Sequence, residues 1–99
     1  MRNSGLDAAV RVRDMLAALV PVMERVFGPE DPDTVTARAN LAHWTGVAGD
    51  AAGARDQFAA LVPVMERVLG PEHPDTLAAR NNLVRWTRKA EGNPQPDVK

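Results

Sequence analysis

The sequence predicts an all-α fold: an α-α superhelix of helical hairpin repeats with about four antiparallel helices. Three observations carry that prediction. The block from Ala17 to Thr45 recurs 42 residues later, from Ala59 to Thr87, with 22 of its 29 positions identical. A period of this length is the mark of stacked supersecondary units, each burying its face against the next. Apolar residues within the block step by three and four, which lines one side of an α-helix. Glycine and proline then interrupt the pattern at matching places in both copies.

The first helix is expected over about 6–27. Val12, Leu16, Leu19, Met23 and Val26 share one face, and Gly28 followed by Pro29 ends it, glycine supplying a left-handed stop and proline preventing continuation. The second helix is expected over about 32–47. Pro32 suits the first helical position behind Asp31 as cap, with Asp33 near the positive end of the helix dipole. Its apolar face carries Ala37, Leu41, Trp44 and Ala48. Gly49 and Asp50 close the hairpin and cap a third helix, 50–69, with Ala51, Ala54, Phe58, Leu61, Met65 and Val68 on one side. Gly70, Pro71, His73 and Pro74 repeat the punctuation. The fourth helix, 74–91, carries Ala79, Leu83, Trp86 and Ala90.

One domain is therefore expected over 1–91, followed by a disordered tail over 92–99. Pro21 and Pro63 lie deep inside the first and third helices, where proline removes a hydrogen bond. Their duplication implies a bend that the packing accommodates, and the freed carbonyls belong to Ala17 and Ala59. Trp44 and Trp86 fall on the apolar stripes and are expected between helices. Phe58 is expected in the core.

Composition narrows the function. Twelve basic residues are interleaved with 13 acidic ones for a net charge of -1, too close to neutral for a strong phosphate-binding face, so no nucleic-acid partner is expected. The absence of cysteine rules out a disulfide framework and a thiolate metal site. No apolar stretch approaches the roughly 20 residues a membrane span requires, so no membrane partner is expected and a cytoplasmic location is the default. Catalytic chemistry has few candidates. The two histidines, His43 and His73, lie on different elements without metal-ligand spacing. The single serine, Ser4, falls in a start expected to be unstructured. Gly46, Gly49 and Gly53 form a glycine-rich turn that lacks the lysine of a phosphate cradle. The chain is expected to be no enzyme and to need no cofactor or metal.

The run Leu69-Gly70-Pro71-Glu72-His73-Pro74-Asp75-Thr76-Leu77, followed by Asn81-Asn82-Leu83, resembles the tetratricopeptide repeats. It is closest to their 42-residue variety, seen in kinesin light chains and bacterial STAND-type signalling proteins. Gly49, Asp50, Ala54 and Phe58 match the turn glycine, turn aspartate, small alanine and large aromatic of the general pattern. The resemblance covers about 8–91. It departs at Thr45 and Thr87, where the family's first helix usually carries tyrosine and where tryptophan stands one position earlier.

The resemblance implies a non-catalytic scaffold binding a peptide or protein segment on a concave face. That face would carry Thr36, Ala39, Asn40 and His43 from one helix, and Ala78, Asn81, Asn82, Arg85 and Lys89 from the next. The candidate peptide-binding residues are thus Asn40, His43, Asn81, Asn82, Arg85 and Lys89. Amide donors with a guanidinium suit an acidic peptide, and the three-then-four spacing of Asn82, Arg85 and Lys89 places them on one stripe. The mapping also begins the chain with the second helix of one repeat and ends it with the first helix of another. The alternative function is therefore self-assembly, in which terminal helices of a homo-oligomer complete each other's repeats, a reciprocal dimer being the favoured form.

Overall fold

A computed structural model describes residues 4–92. It contains four helices: α1 (Ser4–Phe27), α2 (Pro32–Val47), α3 (Ala51–Val68) and α4 (Pro74–Ala90). Among the described residues there is no strand. The expected boundaries hold to within two residues. Ser4, expected in an unstructured start, instead opens α1, which runs unbroken into the repeated block. Of the expected tail, Gly92 sits in a turn and 93–99 lie outside the described residues.

Local chemistry sets the helix ends. Asp31 accepts from the backbone N–H of Asp33 at 2.8 Å and Asp50 from that of Gly53 at 2.8 Å. His73 does the work of Asp31 in the second copy, its Nδ1 accepting from Asp75 N–H at 3.0 Å. Each bond satisfies one of the four donors a helix leaves orphaned at its start. Gly28 and Gly70 stop α1 and α3 with φ of +100° and +105°, a region that side chains with a Cβ rarely enter. Both α1 and α3 run through their internal proline. Pro21 and Pro63 are exposed, as are Ala17 and Ala59, so water can reach the carbonyls that proline leaves without a donor.

The helices stack in chain order, α1 on α2, α2 on α3 and α3 on α4, with α2 and α4 also touching lightly. The core lies where α3 is covered from both sides: Phe58, Leu61 and Met65 are almost fully enclosed, joined by Val35 and Ala42 of α2 and by Ala79 and Trp86 of α4. Burying one such large apolar side chain contributes about 1.5–3 kcal/mol. The packing of α2 on α1 and of α4 on α3 is the same contact made twice. Thr34 donates to the Met23 carbonyl at 3.4 Å and Thr76 to the Met65 carbonyl at 3.4 Å. Arg38 pairs with Glu24 at 3.9 Å, and Arg80 with Glu66 at 2.7 Å. These surface ion pairs fix register more than they add stability.

The hairpin contact of α2 with α3 occurs once. There Thr45, standing where a tyrosine was expected, is buried. Its hydroxyl donates to the Leu41 carbonyl at 2.7 Å and accepts from Gln57 of α3 at 3.3 Å. The glycines expected in one turn separate. Gly49 alone is in the turn, Gly46 belongs to the last turn of α2, and Gly53 to the first turn of α3. Gly46 carries a close contact between helices, because a Cβ there would stand 2.6 Å from the Trp86 indole.

Candidate functional site

A cleft of about 230 Å³ opens between α2 and α4, with Phe58 and Met65 of α3 at its floor. It exists because α2 and α4 each pack on α3 and meet one another only lightly, leaving a furrow along the line where their facing sides diverge. The α2 wall carries Thr36, Ala39, Asn40 and His43, which are four successive positions on one side of a helix at spacings of three, one and three. The α4 wall carries Asp75, Ala78 and Asn82. Small residues at Ala39 and Ala78 keep both walls low above Phe58 and Met65, which are themselves almost fully enclosed.

The six residues singled out from the sequence divide in two. Asn40, His43 and Asn82 line the cleft. Asn81, Arg85 and Lys89 are exposed on α4 and stand outside its lining. Asn82 uses one amide N–H on its own helix, bonding the Ala78 carbonyl at 3.0 Å. That leaves its second N–H and its carbonyl oxygen for another partner. Arg85 lies over the Trp86 ring, with the guanidinium carbon 5.2 Å from the ring centroid, a cation–π arrangement that restrains the side chain beside the cleft. Asp75, which the sequence reading used only as a helix-start carboxylate, lines the opposite end. Its helical position, ten residues before Arg85, was the signal available for finding it.

The electrostatics therefore run from negative to positive along α4. His43 sits between. Its pKa is lowered from the ordinary 6.5, first by burial, which disfavours the charged ring, and then by the positive charge of Arg85. The ring also meets Trp44 edge-on, with centroids 5.2 Å apart and planes at 80°. At neutral pH the cleft thus presents a neutral imidazole and two amides, with the Asp75 carboxylate in its wall and Arg85 outside the lining.

The two tryptophans do not share one environment. Trp86 is 5% exposed and locked against Gly46, with its indole N–H left without a partner. Trp44 is half-buried and borders a second, wider cleft on α1. Among the described residues no three acidic or histidine side chains gather as a metal-binding group, and no helix is long and apolar enough to cross a membrane.

Residues 34–75 match the family model of the tetratricopeptide repeat. That span is one full 42-residue period, running from the third residue of α2 through α3 to the second residue of α4. It is consistent with the kinesin-light-chain-like variety of the repeat. No curated protein and no solved structure matches the chain.

Proposed function

We propose that this chain, which carries a tetratricopeptide repeat, is a non-catalytic scaffold that binds an acidic peptide or protein segment in the cleft between α2 and α4. Tetratricopeptide repeats generally mediate protein–protein interactions. The observation that carries the reading is the cleft itself: an apolar floor of Phe58 and Met65 flanked by amides, with Arg85 at one end. Such a surface accepts an extended segment lying between the low walls of Ala39 and Ala78, with its backbone bonding Asn40 and Asn82. The charge gradient sets an orientation, with ligand carboxylates at the end of Arg85 and Lys89 and away from Asp75. Asn81 extends the same polar stripe. The setting is the cytoplasm, with neither nucleic acid nor membrane as partner. The alternative reading is self-assembly through the terminal helices, whose wider cleft on α1 also takes in Asn40.

The test is a pool of fluorescent peptides varied in net charge, titrated against the wild-type chain and against Asn82→Ala with Arg85→Ala. Acidic members should bind, and the double variant should lose at least tenfold in affinity. Its stability should stay within about 0.5 kcal/mol, the usual range for surface changes. Equal binding by the double variant, or a preference for basic peptides, would overturn the assignment.

A further inference from the structure

The two copies of the repeated block differ by a histidine at two places: His43 where the second copy has Arg85, and His73 where the first has Asp31. Helix capping uses the second of these, since His73 and Asp31 each accept from the backbone N–H two residues on. The first has no such partner. His43 and Arg85 hold the same helical position on α2 and α4, and each rests against the tryptophan that follows it: the imidazole meets Trp44 edge-on at 5.2 Å, and the guanidinium lies over Trp86 at 5.2 Å. Among the described residues the imidazole makes no hydrogen bond, so both ring nitrogens remain for a ligand. His43 lines the cleft between α2 and α4, and Arg85 stands outside that lining.

We infer that His43 is a second anion-recognising residue of this cleft, taking up a proton when a ligand carboxylate seats beside Arg85, so that acidic segments bind more tightly as the pH falls. The inference rests on the function proposed above and gives His43 a part in it. In the free chain burial opposes the charged ring, and so does the positive charge of Arg85. A carboxylate at Arg85 reverses the second effect, because it offsets that charge and accepts from the protonated ring. The other charged groups around the ring are few. α4 adds Asp75 at the far end of the lining and Lys89 a turn beyond Arg85, while α3 offers only the uncharged Phe58 and Met65. On α2 itself Asp33 lies at the helix start and Arg38 pairs with Glu24 of α1. The α1 residues that share a cleft with Asn40 and Trp44 are all apolar. The direction of the pH dependence follows from linkage. A ring that is neutral in the free chain and charged in the complex binds a proton on association, so affinity rises as protons become more available. Once charged, His43 reproduces on α2 the cation that Arg85 supplies permanently on α4, and the carboxylate is held from both helices.

The probe is a fluorescent peptide of glutamate and alanine, titrated at about pH 7.5 and about pH 5.5, both above the range in which glutamate itself protonates. The wild-type chain should bind it at least about threefold more tightly at the lower pH. His43→Gln should bring that ratio to about one, and His43→Arg, which copies Arg85, should do the same while binding tightly at both pH values. The His43 ring resonance, followed by NMR, should titrate at a higher pH with the peptide than without it. Helicity is checked by circular dichroism, and His43→Arg carries the test should the glutamine variant unfold. The same pH ratio in wild type and variant, or a ring titration that the peptide does not move, would overturn the inference and leave the reading of the cleft standing. No binding of the peptide at either pH would overturn both.

Discussion

α1 and α3 share most of their sequence and one kind of neighbour, but α3 has a second neighbour that α1 does not. From Ala17 to Val26 and from Ala59 to Val68 the residues are identical, yet Met65 is enclosed while Met23 is only half-buried, and Leu61 is enclosed while Leu19 is open. The helices themselves are alike, each crossing its proline and stopping at a glycine of positive φ. What differs is the number of neighbours. α3 lies between two helices and α1 beside one. Helix formation is thus a local property that the repeat copies faithfully, whereas burial belongs to the stack, and a copied residue acquires it only where the stack continues on both sides.

The sharpest way to break this comparison is to truncate the same side chain in both copies. Leu61→Ala removes a fully enclosed leucine and should cost about 2–5 kcal/mol, while Leu19→Ala should cost about 1 kcal/mol or less at high dilution. Urea titrations of the two variants decide the matter. Equal losses would mean that Leu19 is covered even in the isolated chain, and would remove the contrast between the two copies.

A smaller effect tests the pairing of α2 with α4. Replacing glycine by alanine inside a helix ordinarily stabilises by about 0.5–1 kcal/mol. At Gly46 the added Cβ would meet the Trp86 ring at 2.6 Å, so Gly46→Ala should instead destabilise by about 1–3 kcal/mol, the usual cost of overpacking. Thermal denaturation showing a gain in stability would mean that the indole moves aside freely and that the two helices are not held at this distance.

The smallest expected effect concerns pH. His43 has its pKa lowered in the folded chain, so folding favours the neutral ring. Its contribution is fully present above the ordinary value of 6.5 and is lost as the pH falls through the lower folded value. Urea midpoints measured between about pH 7 and 5 should therefore fall on the acid side, and His43→Asn should flatten that limb. An unchanged slope in the variant would place the acid sensitivity elsewhere and would mean that the cleft does not desolvate the ring.

Much of the candidate site was legible from pattern alone. Asn40, His43 and Asn82 were placed on one face by the resemblance to the tetratricopeptide pattern, and all three line the cleft between α2 and α4. Arg85 was placed on that stripe too, but spacing could not reveal that Trp86 holds its guanidinium beside the cleft. Asp75 was read as a favourable charge at a helix start, and only the approach of α2 makes it part of a wall. Thr45 stood out as a departure from the family's tyrosine. Its hydroxyl finds Gln57 across the hairpin, a partner twelve residues away that no local rule connects to it.

The chain's own order of residues was enough for the four helices, their caps, the 42-residue period and the stacked all-α architecture. All of these follow from interactions that reach no further than a turn or two along the backbone, or from a period visible by inspection. Stacking alone settled which copy of an identical leucine is enclosed, why Gly46 has no room for a side chain, and how two amides and an imidazole come to share one furrow. Burial and electrostatic surroundings depend on atoms brought from distant parts of the chain, and two segments with the same letters meet different atoms when one lies inside the stack and the other at its end.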